Sequence, residues 1–139
     1  MEGIIKITPK SIGKIKLSEQ QLLRNAFLKK TISTQMKIII DGIGGLIKTK
    51  LENYYKKNEI LIEVSKETNG IVGLIKIKLL KIKNENITKS HKDYKQIKES
   101  FKNNIEKIKE ELKKLLEPAF GKSYRNSKME VEYKTEVKL

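Results

Sequence analysis

The 139-residue chain has no cysteine, no tryptophan, two prolines and one histidine. Without thiols there can be no disulfide, no cysteine-bound zinc or iron–sulfur cluster and no thiol nucleophile, which suits a reducing compartment. The one histidine, His91, stands beside Asp93 at the start of a predicted helix, where a polar ring is commonly exposed and idle. Glu106, Glu110, Glu111 and Glu117 alternate with Lys107, Lys109, Lys113 and Lys114, so ion pairs on a helix surface account for them. No acid/base pair, triad or ligand cluster emerges, and the expectation is a non-enzymatic protein with no catalytic residue, metal or cofactor. No apolar run approaches the roughly 20 residues of a membrane span. The opening MEGIIKITPK lacks the apolar core of about 7–15 residues that a signal peptide needs. A cytoplasmic protein, or part of an intracellularly assembled particle, is expected.

Arginine is also scarce. Of 31 basic residues only Arg24 and Arg125 are arginine, yet the formal net charge is +14. Lysines that neutralise phosphate release counterions and favour nucleic acid, but forked recognition of phosphate and base edges favours guanidinium. Heavy use of lysine, isoleucine and asparagine also follows from an A+T-rich genome. The charge therefore has both a functional and a compositional reading.

With 37% apolar residues, the length suits one domain over residues 1–139. Its organising stretch runs from Glu59 to Lys83, where two β-rich runs meet at Asn69-Gly70. That pair tolerates the positive φ angles of a type I′ turn, so a β-hairpin is predicted with Asn69 and Gly70 as its loop. Ile4, Ile5 and Ile7 precede Pro9, and Ile12, Ile15 and Leu17 follow it; an edge strand, or two short strands broken near Pro9, is expected. Ser18-Glu19-Gln20-Gln21 matches a capping box. Two helices should follow, Ser18 to about Ile40 and about Leu46 to Lys57, joined by a glycine turn at Gly42-Ile43-Gly44-Gly45, because each glycine costs up to about 1 kcal/mol inside a helix. A third helix carries Tyr94, Ile97, Phe101, Ile105, Ile108, Leu112, Leu115 and Leu116 on one stripe and should end at Pro118. After a loop from Ala119 to Ser127, Met129, Val131, Tyr133, Val137 and Leu139 alternate with charged residues as a half-buried strand. The fold class is α+β: a small, mostly antiparallel sheet in the order β-α-α-β-β-α-β, with helices packed on one face.

Two surfaces are candidates for function. The glycine cluster, in the order β-α-GxxG-α-β-β-α across about residues 12 to 117, resembles the GxxG loop of the KH family, which clamps single-stranded nucleic acid by its backbone. The resemblance implies that Gly42, Ile43, Gly44 and Gly45 hold the nucleic-acid backbone and that Lys48 and Lys50 meet phosphate. A tight helix–helix turn that needs small residues explains the same cluster without a ligand. Lys76 and Lys78 would project from the uncovered face of the sheet, as a phosphate-binding plane or a solvated one; no aromatic residue for stacking bases occurs in these strands before Tyr133. The second candidate is the C-terminal strand, where Met129, Val131, Tyr133, Val137 and Leu139 would form an interface with copies of the chain or with other subunits. The favoured expectation is a structural subunit of a larger homo-oligomer, such as a neck or tail component of a phage-like particle. The alternative is a basic nucleic-acid-binding protein.

Overall fold

The computed structural model describes residues 1–121 and 128–138. In chain order its elements are β1 (Glu2–Ile12), β2 (Ile15–Lys16), α1 (Glu19–Arg24), α2 (Ala26–Lys57), β3 (Ile60–Asn69), β4 (Val72–Ile82), β5 (Glu85–Asn86), α3 (Tyr94–Gly121) and β6 (Met129–Lys138). All strand pairs are antiparallel, and the four long strands lie in the order β6-β1-β4-β3. The chain therefore crosses from β1 over β4 to β3, and from β4 over β1 to β6, in two interleaved split β-α-β units. α2 packs on β3 and β4, and α3 on β1 and β6, so both long helices cover the same face.

β1 corrects the expectation of a broken or edge strand: it is one unbroken strand at the centre of the sheet, between β4 and β6. Pro9 fits because the register with β4 ends at Ile7 opposite Gly73, so the missing N–H falls beyond the end of that neighbour, beside a register shift between Pro9 and Ser11. Gly3, Ile5 and Ile7 of β1 face the helices, as do Gly73, Ile75, Ile77 and Leu79 of β4. They join Ile32, Met36, Ile40, Ile105, Leu112, Leu116 and Phe120 in one core, each fully buried aliphatic or aromatic side chain contributing about 1.5–3 kcal/mol.

The hairpin is present with a shifted turn. Asn69 is the last residue of β3 and pairs with Val72, which leaves Gly70-Ile71 as the loop. Only Gly70 has a positive φ, +61°, the sign pattern of a type II′ turn, not I′. The I′ pattern occurs instead at Lys83 and Asn84, with φ of 50° and 64°, which join β4 to the short β5.

The helices differ most from expectation. Ser18 does cap α1, its hydroxyl accepting the Gln21 N–H at 3.2 Å, but α1 ends at Arg24. Asn25 then caps α2 by accepting the Leu28 N–H at 3.0 Å. α2 continues for 32 residues, through Thr31-Ile32-Ser33-Thr34 and through all three glycines. Thr31, Ser33 and Thr34 bond back to the Phe27 and Lys30 carbonyls, and burial of Ile32, Met36, Ile39, Ile40, Ile47 and Leu51 outweighs the propensity cost. α3 likewise passes its expected end: Pro118 lies in the helix, which runs to Gly121 and buries Phe120. Close to a C-terminus, the ring displaces only a backbone bond in the last turns. Of the expected loop from Ala119 to Ser127, Ala119, Phe120 and Gly121 are helical, and residues 122–127 lie outside the described ones.

Candidate functional surfaces

The uncovered face of the sheet is ruled by cross-strand rows. Lys138 of β6 lies opposite Glu2 of β1, Glu2 opposite Lys78 of β4, and Lys78 opposite Glu63 of β3. The next row is Glu136, Ile4, Lys76 and Ser65; the one after is Lys134, Lys6, Leu74 and Glu67. Lys76 reaches diagonally to Glu67 at 2.7 Å, and Glu132 receives Lys10 at 3.5 Å and Lys134 at 4.0 Å. Hydrogen bonding to Glu67, with its charge, raises the Lys76 ammonium above the usual lysine range. Over the four long strands this face carries seven cations (Lys6, Lys10, Lys76, Lys78, Lys81, Lys134, Lys138) and six anions (Glu2, Glu63, Glu67, Glu130, Glu132, Glu136), a net of +1 against +14 for the chain. Lys76 and Lys78 thus sit in a checkerboard and not on a positive plane. The excess charge lies elsewhere; α2 alone has seven lysines against Asp41 and Glu52.

Gly42, Ile43, Gly44 and Gly45 are four consecutive helical residues of α2, so the expected turn between two helices is absent. None of the three glycines has a positive φ. A Cβ on Gly44 would come within 2.8 Å of Lys66 Cδ, because the Lys66 side chain of β3 crosses the helix there. Its ammonium donates to the Asp41 carbonyl. The small residues thus admit a lysine stem between helix and strand. Lys48 and Lys50 are exposed on the same helix.

Two depressions flank α3. One, of about 540 Å³, has Ile62, Ile77, Leu79 and Phe101 in its floor and His91, Lys92, Asp93 and Gln96 on its rim. His91 accepts the Asp93 N–H on Nδ1 at 3.1 Å, which leaves Nε2–H to donate to Glu85 at 2.9 Å. The ring ties the β4–β5 turn to the start of α3, so both nitrogens have structural duties. The other depression, of about 480 Å³, lies between α2 and α3, floored by Ile47, Leu51, Ile108 and Leu112 and rimmed by Tyr54, Lys50, Lys107 and Leu115. Tyr54 and Tyr55 meet edge to face at 5.3 Å. Tyr54 and Leu46 are 62% and 75% exposed. Sequence periodicity placed these residues on the helix but could not reveal their exposure, which depends on where α3 lies.

β6 bears on the interface expectation. Met129 is buried, and Val131, Tyr133 and Val137 are half-buried against the core under α3. Leu139 lies outside the described residues. Thr135 donates to Glu106 of α3, and Lys113 lies 5.6 Å over the Tyr133 ring. Lys109 and Thr135 together hold the Glu106 carboxyl below the usual carboxylate range. The apolar side chains of β6 therefore belong to the domain's own core. What β6 presents outward is the second edge of its backbone, since β1 takes only the first, and the charged row Glu130, Glu132, Lys134, Glu136 and Lys138.

Among the described residues no group of three or more His, Asp or Glu side chains could hold a metal ion, and no helix is long and apolar enough to cross a membrane. Comparison with protein-family models, with curated proteins and with solved structures finds no match.

Proposed function

We propose that the chain is a non-enzymatic structural subunit that builds a larger homo-oligomer, of the kind found in the neck or tail of a phage-like particle. The observation that carries this reading is the pair of ten-residue outer strands, β3 and β6, each bonded to a neighbouring strand on one side only among the described residues. An outer strand is a template for a further strand, and adding one joins subunits through main-chain hydrogen bonds without remodelling either core. His91, the single histidine, is occupied in ordering a turn and a helix start. Solution mass across a concentration series tests the proposal: mass should rise with concentration, and a monomer at the highest soluble concentration would refute it.

A second reading, binding of nucleic acid through lysines, draws on the surplus charge of α2, seven cations against two anions. It requires affinity that falls steeply with salt while the protein stays monomeric. A salt-insensitive oligomer without such affinity favours the subunit.

A further inference from the structure

If the chain assembles through its outer strands, as proposed above, strand direction and charge select which edges meet. We propose that copies join head to tail, the outer edge of β3 in one pairing with the outer edge of β6 in the next, Glu63 opposite Lys138 and Glu67 opposite Lys134.

Strand direction comes first. The order β6-β1-β4-β3 alternates without exception, so a copy set edge to edge brings its β6 antiparallel to the first copy's β3. The charge rows then fix the register. The row Lys138, Glu2, Lys78, Glu63 begins with a cation at one edge and ends with an anion at the other, and Lys134, Lys6, Leu74, Glu67 has the same polarity at its ends. A neighbour in unshifted register continues both rows across the boundary, and the row between them sets Ser65 against Glu136. Sliding the neighbour by two residues in one direction sets Glu63 against Glu136 and Glu67 against Glu132; sliding it two the other way sets Glu67 against Glu136. Like charges directly opposite are unfavourable, and a slip of one residue would turn the charged face onto the core side.

The choice of partner edge follows from β3. Its open-face residues include Glu63 and Glu67 and no cation, so its edge finds opposite charge on β6 and not on a second β3. Glu63 and Lys138 have no ion-pair partner within 4 Å among the described residues. Pairing β6 with a second β6 would also match charges, but it would leave every β3 edge bare; the head-to-tail contact satisfies both edges and repeats, as a ring or tube requires.

The chain has no cysteine of its own, so a disulfide can report the register. Ser65 and Glu136 are exposed and would lie opposite each other, at Cα distances that a disulfide spans. Ser65→Cys and Glu136→Cys proteins, mixed and mildly oxidised, should give the mixed covalent dimer, while each alone should not; the double variant should give a ladder of oligomers. Reversing one edge charge, E63K or K138E, should weaken association about tenfold, and carrying both in one chain should restore it. Circular dichroism confirms that each variant is folded. If the wild type oligomerises but the cysteine mixture gives no mixed dimer, or if K134C and E136C crosslink instead, this edge contact is wrong and the assembly reading survives. If the wild type stays monomeric, both fall.

Discussion

Gly3 of β1 faces Ile105 of α3 with no room for a side chain between them: a Cβ on the glycine would lie 2.7 Å from Ile105 Cγ1. Gly73 plays the same part under α2, where a Cβ would meet Ile40 and Met36 at 2.9–3.0 Å. The two central strands each carry a glycine where a long helix crosses them, and these set how close the helices come to the sheet. Gly3→Ala should cost about 1–3 kcal/mol by overpacking. The shortened partner Ile105→Val should recover part of that loss, so the double variant is more stable than the sum of the single changes, as chemical denaturation would show.

Gly42 has open space around its missing side chain and an ordinary helical backbone. Gly42→Ala should therefore stabilise the protein by about 0.5–1 kcal/mol. Gly70→Ala should do the opposite, since Gly70 needs its positive φ. If Gly42→Ala destabilised the fold, the continuous helix would be contradicted. The thermal midpoints of the two variants, moving in opposite directions, make the check.

Asn25 divides α1 from α2 and accepts the Leu28 N–H. Asn25→Ala should cost about 0.5–2 kcal/mol through the lost cap, and Asn25→Ser much less. Hydrogen exchange should show the loss concentrated in the first turns of α2.

The Tyr133 hydroxyl is buried and has no hydrogen-bond partner among the described residues. Burial, with a smaller contribution from Glu117, pushes its phenol above the ordinary range near pH 10. A phenol whose folded value is raised stabilises fully below the unfolded value, and that stability is lost as pH rises past it. Tyr133→Phe keeps the ring under Lys113. At neutral pH it should leave stability unchanged or raise it by up to about 1 kcal/mol. Above about pH 10 the variant should lose less stability than the wild type, which denaturation at pH 7 and at alkaline pH would show.

Local chemistry made much of this protein readable from its residues. The alternation of Ile62 and Val64, the stripe from Phe101 to Leu116, the Ser18 cap and the α+β class all follow from periodicity and hydrogen-bond chemistry over a few neighbours. Long-range contacts decided the rest. α2 runs through three glycines because Ile40, Ile47 and Leu51 are buried in the core and Lys66 fills the space beside Gly44; a cost of about 1 kcal/mol per glycine is visible in the sequence, and the burial that exceeds it is not. Pro9 sits in a central strand because β4 happens to end beside it. The lysines of the strands were countable from the start, but Glu2, Glu63 and Lys138 become a single row with Lys78 only when strands distant in the chain are laid side by side. Composition determined the charge of this protein; strand order alone determined which charges face one another, because register is a property of paired backbones and not of any one segment.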